Sequence, residues 1–353
     1  MTLENSLRTL AFGDPGEPAV TPDHRIAGVA ARARTDRECW LAAVVLGAHG
    51  RYAAATTLLH RLRHSRDVVI TSLAASTIAS HRRQLGGHAA ALPADGAALA
   101  AVAGLHGHGG HGGDVDGIDV AGARADALLG LAADHLALGR PALARRLVGD
   151  ATAGLDAAFG SGGGSRRSRI RAGWVGAEAA LAGGDPATAV VSAEEALRLV
   201  GAVPDAVPVR HRAKTELVLA AALLARGPGV PGGSHPASGW DPAPGWDAEP
   251  GWDAAGGLAS AAGVDAAGGP VPAAGADGAA PARPAALVTS ALAAIDAHGF
   301  ASLSWPGRLL AADADPARAD EHRRRATREV HALLPGLGPE LRRLAVGSPW
   351  LPV

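Results

Sequence analysis

The residues best suited to metal chemistry crowd one short stretch. His106, His108, His111, Asp114, Asp116 and Asp119 are the types that ligate divalent ions. Seven glycines between Gly104 and Gly117 surround them, and such a run cannot orient ligands through fixed outer contacts. The stretch therefore reads as a solvated loop, and no metal or cofactor is expected. Gly160 to Gly164, followed by Ser165-Arg166-Arg167, offers free backbone amides of the kind that cradle phosphate. It lacks a Gly-Lys-Ser/Thr ending and a preceding strand pattern, so it reads as a linker. Cys39, the only cysteine, sits beside Trp40 on an apolar helical face as a small filler rather than a thiolate nucleophile. His49, His60, His64, His81 and His135 have no acid at fixed spacing, and no triad or carboxylate pair stands out. No catalytic residue is expected, and the chain is read as not an enzyme.

The strongest charge feature is local. Arg51, Arg61, Arg63, Arg66, Arg82 and Arg83 face only Asp67 in sequence, a formal charge of +5 in a protein of net charge −1. These six arginines are the candidate partner-binding residues. They suit an acidic peptide segment, and the alternative is a nucleic-acid backbone bound through the same face. The near-neutral whole has no global field to draw nucleic acid or anionic lipid, and the longest apolar run, Leu217 to Ala225, is too short to span a membrane.

Helices must position these side chains. The chain has 353 residues, is rich in alanine, and has 3% aromatics, which favours close helix packing and disfavours a β-sandwich. The residue bias, with one lysine, Lys214, and abundant Arg, Ala, Gly and Pro, is that of a GC-rich bacterial genome. From Asp36 to His64 an apolar helix with Trp40, Ala43 and Leu46 reaches Gly50-Arg51-Tyr52, and a second helix follows with Ala55, Leu59 and Leu62. A small residue seven positions before the glycine and another five after it recur at Gly139 (Ala132, Ala144) and Gly184 (Ala177, Ala189). Weaker copies centre on Gly87, with Ser80 and Leu92, and on Gly227, with Ala220. Each glycine is expected at or just past a helix end, where a left-handed residue stops the helix.

This pattern resembles degenerate tetratricopeptide (TPR-like) repeats. The resemblance implies an all-α fold, a TPR-like α-solenoid of antiparallel helix pairs, that recognises segments of partner proteins in a groove. The expected organisation is a flexible tail at 1–20, a repeat array at 21–227, a disordered acidic linker at 228–282, and C-terminal helices at 283–353 that complete the array. The linker carries six acids and tryptophans at 240, 246 and 252 in a Gly-Trp-Asp repeat. The expected function is a cytoplasmic, non-enzymatic interaction scaffold or regulatory module. The alternative is a transcription-associated or nucleic-acid-binding regulator acting through Arg51 to Arg83.

Overall fold

A computed structural model of the chain describes residues 2–12, 23–105, 113–201, 208–227 and 283–353. The histidine loop at 106–111 and the linker at 228–282 lie outside them. The described residues are helical, with no strand. None of their helices is long and apolar enough to cross a membrane.

In chain order the helices are α1 (Leu3–Phe12), α2 (Asp23–Ala30), α3 (Asp36–Ala48), α4 (Tyr52–Leu62), α5 (Val68–Arg83), α6 (His88–Ala101), α7 (Val120–Ala137) and α8 (Pro141–Phe159). They continue as α9 (Arg166–Ala182), α10 (Pro186–Gly201), α11 (Val209–Arg226), α12 (Arg283–His298), α13 (Ala301–Ala314), α14 (Ala319–Leu333) and α15 (Pro339–Gly347). From α3 to α14 they pack as adjacent pairs, and α11 pairs with α12 across the linker.

The pairs share one local design. The first helices α3, α5, α7 and α9 start on side-chain caps from Thr35, Asp67, Asp119 and Ser165, each satisfying amide donors that a helix start leaves open. Each of these helices ends in the same turn. The amides of Arg51, Gly87, Arg140 and Asp185 donate to the carbonyls of Leu46, Arg82, His135 and Ala180, five residues back, at 2.7–2.9 Å. That bond needs a left-handed residue just before the donor, and Gly50 (φ 75°) and Gly86 (φ 73°) supply it in the first two turns. Gly139, Gly184 and Gly227 likewise lie just past helix ends.

The second copy shifts the expected register by one residue. Gly87 is not the left-handed position but the residue that opens α6, at φ −92°. Counted from Gly86, the small residues seven before and five after become Ala79 and Ala91 in place of Ser80 and Leu92. Ala43, Ala55, Ala79, Ala91, Ala132, Ala144, Ala177 and Ala189 then all have zero exposure. Ser80 and Leu92 are half-buried. A methyl at these crossings lets paired helices approach closely, and anything larger would hold them apart.

Two segments differ from expectation. Leu3–Phe12, inside the expected tail, forms a helix whose Leu7 and Ala11 are buried in a cluster with Trp40 and Leu41 of α3. Trp305-Pro306, a pair whose proline lacks an amide donor and so suggests an element boundary in sequence, lies within α13, where buried Trp305 packs with Tyr52, Leu85, Val330 and Leu341. The C-terminal segment thereby returns to the first two turns. Leu333 occupies the space a Cβ would need at Gly50, and Ser348 does the same at Gly86.

Candidate functional site

The six arginines singled out by charge do not form one face. Arg61, Arg63 and Arg66 are exposed at and beyond the end of α4, and the Arg61 Nη2 donates to Cys39 Sγ at 2.7 Å. Arg51 is half-buried in the turn between α3 and α4. Arg82 pairs with Glu340 at 2.7 Å and donates to the Ala90 carbonyl at 2.9 Å. Arg83 is buried, pairing with Asp95 and, at 3.1 Å, with Asp134. The acids that answer Arg82 and Arg83 come from α6, α7 and α15, beyond the reach of a local charge count.

The aspartates grouped with the histidines have structural partners. Asp114 pairs with Arg37 at 2.7 Å and accepts from the amides of Asp116 and Ile118. Burial opposes its ionisation, but Arg37 and those amides still hold its pKa below the ordinary value. Asp116 pairs with Arg8 at 2.7 Å, and Asp119 caps α7.

The residues brought together lie elsewhere. First helices contact one another in succession, α3 with α5, α5 with α7, α7 with α9 and α9 with α11, while α13 contacts both α11 and α3. They enclose a cavity of about 170 Å³. Its wall carries five cations (Arg83, Arg167, Arg171, Arg210, Lys214), one carboxylate (Asp126) and two indoles (Trp40, Trp174). Helical spacing puts them there. Arg167, Arg171 and Trp174 follow at four and three residues along α9, and Arg210 and Lys214 are four apart on α11, so each set shares a face.

Contacts fix most of these groups. Arg167 Nη2 meets Asp126 Oδ2 at 2.5 Å, Arg171 holds the other oxygen, and Arg167 lies 5.8 Å over the Trp40 ring. Trp40 Nε1 donates to Thr77 at 3.1 Å. Lys214 Nζ is 3.3 Å from Glu178 and 5.7 Å from the Trp174 centroid, and His211 stacks on the same indole at 5.4 Å. Trp174 Nε1 donates to Thr215 at 2.7 Å.

Arg210 is different. Its hydrogen bond from Nη2 to Ser302 Oγ is 3.4 Å long, its Nε has no hydrogen-bond partner, and no carboxylate pairs with it among the described residues. Its pKa is pushed down to about 10, by desolvation first and by the neighbouring Arg171 guanidinium, with Tyr52 opposing. Desolvation, reinforced by Arg210 and Arg83, lowers His81 to about 3. Desolvation also holds His211 well below its ordinary value, so both rings are neutral near pH 7. The cavity therefore has more positive charge than it neutralises. Arg167 and Arg171 share one carboxylate, and Arg210 has none.

Sequence reasoning reached Arg83 but passed over Arg171, Trp174, Arg210 and Lys214. The available signals were the basic run Arg166 to Arg171 at the start of a helix and the placement of the sole lysine four residues after Arg210. The sequence matches no protein-family profile and no curated protein.

Proposed function

We propose that the chain is a non-enzymatic protein-interaction module, a TPR-like α-solenoid of antiparallel helix pairs that binds an acidic segment of a partner protein. The observation that carries this reading is the cation-rich, indole-flanked cavity between the first helices. Four pairs that share one turn and one frame of buried alanines support the repeat assignment. The cavity is the better seat for an anionic side chain of that segment than the exposed arginines of α4. Partly enclosed guanidiniums are screened less by salt than solvent-exposed ones, and each interaction is worth more in a lower dielectric. The Arg171 side chain retains 22% exposure, so the cavity opens to an incoming group.

The test is fluorescence polarisation with a labelled Asp/Glu-rich peptide, a charge-inverted Lys/Arg peptide and a duplex DNA, at low and high salt. The acidic peptide should bind and weaken as salt rises, and the basic peptide should not. Equal retention of both peptides, or DNA bound in preference to the acidic peptide, would overturn the reading.

A further inference from the structure

Resting on that reading, the geometry points to a phosphomonoester as the group this cavity recognises, held chiefly by Arg210 with Arg171, Arg167 and the Ser302 hydroxyl.

Charge is the first argument. Around Arg210 the balance is local: Asp126 alone serves Arg167 and Arg171, so these three arginines carry two positive charges more than the carboxylate among them, while Lys214 is matched by Glu178 and the two acids on Arg83, Asp95 and Asp134, bring the surplus of the whole cluster to about one. A carboxylate brings one negative charge. A phosphomonoester brings about −1.5 to −2 near neutral pH, with three strong acceptor oxygens.

Hydrogen-bonding capacity is the second. Both oxygens of Asp126, the one carboxylate in the wall, are engaged by arginines, whereas Arg210 Nε is an unused donor deep in the fold. The ligand atom that meets Arg210 Nε must be an acceptor. Guanidiniums pair bidentately with either anion, but a phosphate presents three acceptor oxygens where a carboxylate presents two, which lets it engage Arg210 and a second donor of the wall together.

Size is the third. About 170 Å³ is close to the roughly 150 Å³ that admits a benzene-sized guest. It admits a phosphate with a short stem, such as a phosphoserine side chain or the end of a small phosphorylated compound, but not a length of extended peptide.

The pH dependence separates the two anions. A phosphomonoester with a second pKa near 6 is almost fully dianionic at pH 7.5 and about one-quarter so at pH 5.5, which weakens binding about fourfold. A carboxylate does not change charge over that range. The wall cannot mimic the loss. Arg210, at about 10, stays charged, and His81 and His211 stay neutral. Protonation of Asp95 or Glu178, both raised by burial, would add positive charge and strengthen anion binding, the opposite sign.

The experiment is isothermal titration of the full chain with four probes: a blocked phosphoserine tripeptide, the same peptide with glutamate at that position, phenyl phosphate, and inorganic phosphate. The phosphoserine peptide or phenyl phosphate should bind at least tenfold more tightly than the glutamate peptide, weaken about fourfold from pH 7.5 to 5.5, and lose at least tenfold in Arg210→Gln. If Arg210→Gln does not keep the parent's helicity, Arg210→Lys serves, since it retains the charge and removes the fork; parent-like binding in Arg210→Lys overturns the proposal. Tighter binding of the phosphopeptide than of the small phosphates identifies a phosphorylated partner protein, and the reverse identifies a free phosphorylated compound. Glutamate and phosphoserine peptides bound equally would remove the phosphate inference and leave the acidic-segment reading standing. Small phosphates bound while neither peptide binds would do the opposite, and no binding of any phosphate-bearing probe overturns the inference outright.

Discussion

Replacing Arg83 with leucine tests whether the buried charge cluster beneath the cavity holds α5, α6 and α7 together. The Arg83 side chain is 5% exposed and lies between Asp95 and Asp134, both fully buried, with Asp134 Oδ1 at 3.1 Å. Leucine leaves two carboxylates without their cation in a site that water does not reach. Removing one partner of such a cluster costs about 3–5 kcal/mol, most of it the penalty for the stranded charge. The loss should depend on pH. Burial raises the Asp95 pKa more than Arg83 lowers it, so the folded state holds that proton to higher pH than the unfolded chain does. A group of this kind contributes its full stability below its unfolded value, about 3.9, and loses it as pH rises through the folded value. Without Arg83 the folded value rises further. The deficit of Arg83→Leu should therefore be larger near pH 8 than near pH 5. Urea denaturation followed by far-ultraviolet circular dichroism at both pH values measures it, with the slope confirming that the same surface unfolds. A loss below about 1 kcal/mol, or one that is equal at the two pH values, would refute the reasoning.

Ala132 and Ala177 have zero exposure at helix crossings, so Ala132→Phe or Ala177→Phe should overpack the pair and cost about 1–3 kcal/mol in the same denaturation assay; parent-like unfolding of both would mean the frame is misplaced. Cys39 is buried and its thiol is pushed up by desolvation, only partly offset by Arg61, so labelling by a thiol reagent near pH 8 should be slow in the native chain and rapid once it is unfolded. Rapid native labelling would show that α3 is not packed as described.

The parts legible in the sequence were those set by local chemistry. A glycine that ends a helix and an alanine at fixed distance on either side are short-range signals, and they marked the turns at Gly50, Gly139 and Gly184 directly. At the second turn two adjacent glycines offered two registers. The correct register was itself legible, since Ala79 and Ala91 fit the small-residue frame counted from Gly86 where Ser80 and Leu92 fit it poorly from Gly87, whereas the C-terminal Ser348 and Leu351 packed on Gly86 come from far along the chain. The same limit governs the site. Arg82 and Arg83 are neutralised by Glu340, Asp95 and Asp134, so a run of positive charge in sequence did not become a positive face in space. The surplus charge instead arises where α9 and α11 converge, around Arg171 and Arg210, a juxtaposition that no window of sequence contains. Pro306 lacks an amide donor and so suggests a boundary in sequence, yet burial of Trp305 beside it holds α13 through that position.

Two seats for the acidic ligand are distinguishable, the proposed cavity and the exposed arginines of α4, and one comparison of variants decides between them. The affinity of the labelled acidic peptide is measured for the parent, for Arg171→Gln with Arg210→Gln, and for Arg61→Ser with Arg63→Ser and Arg66→Ser, each checked for unchanged helicity. The cavity pair should weaken binding at least tenfold, about 1.4 kcal/mol, while the surface triple leaves it within about twofold. Loss of binding in the surface triple with parent-like affinity in the cavity pair would contradict the account.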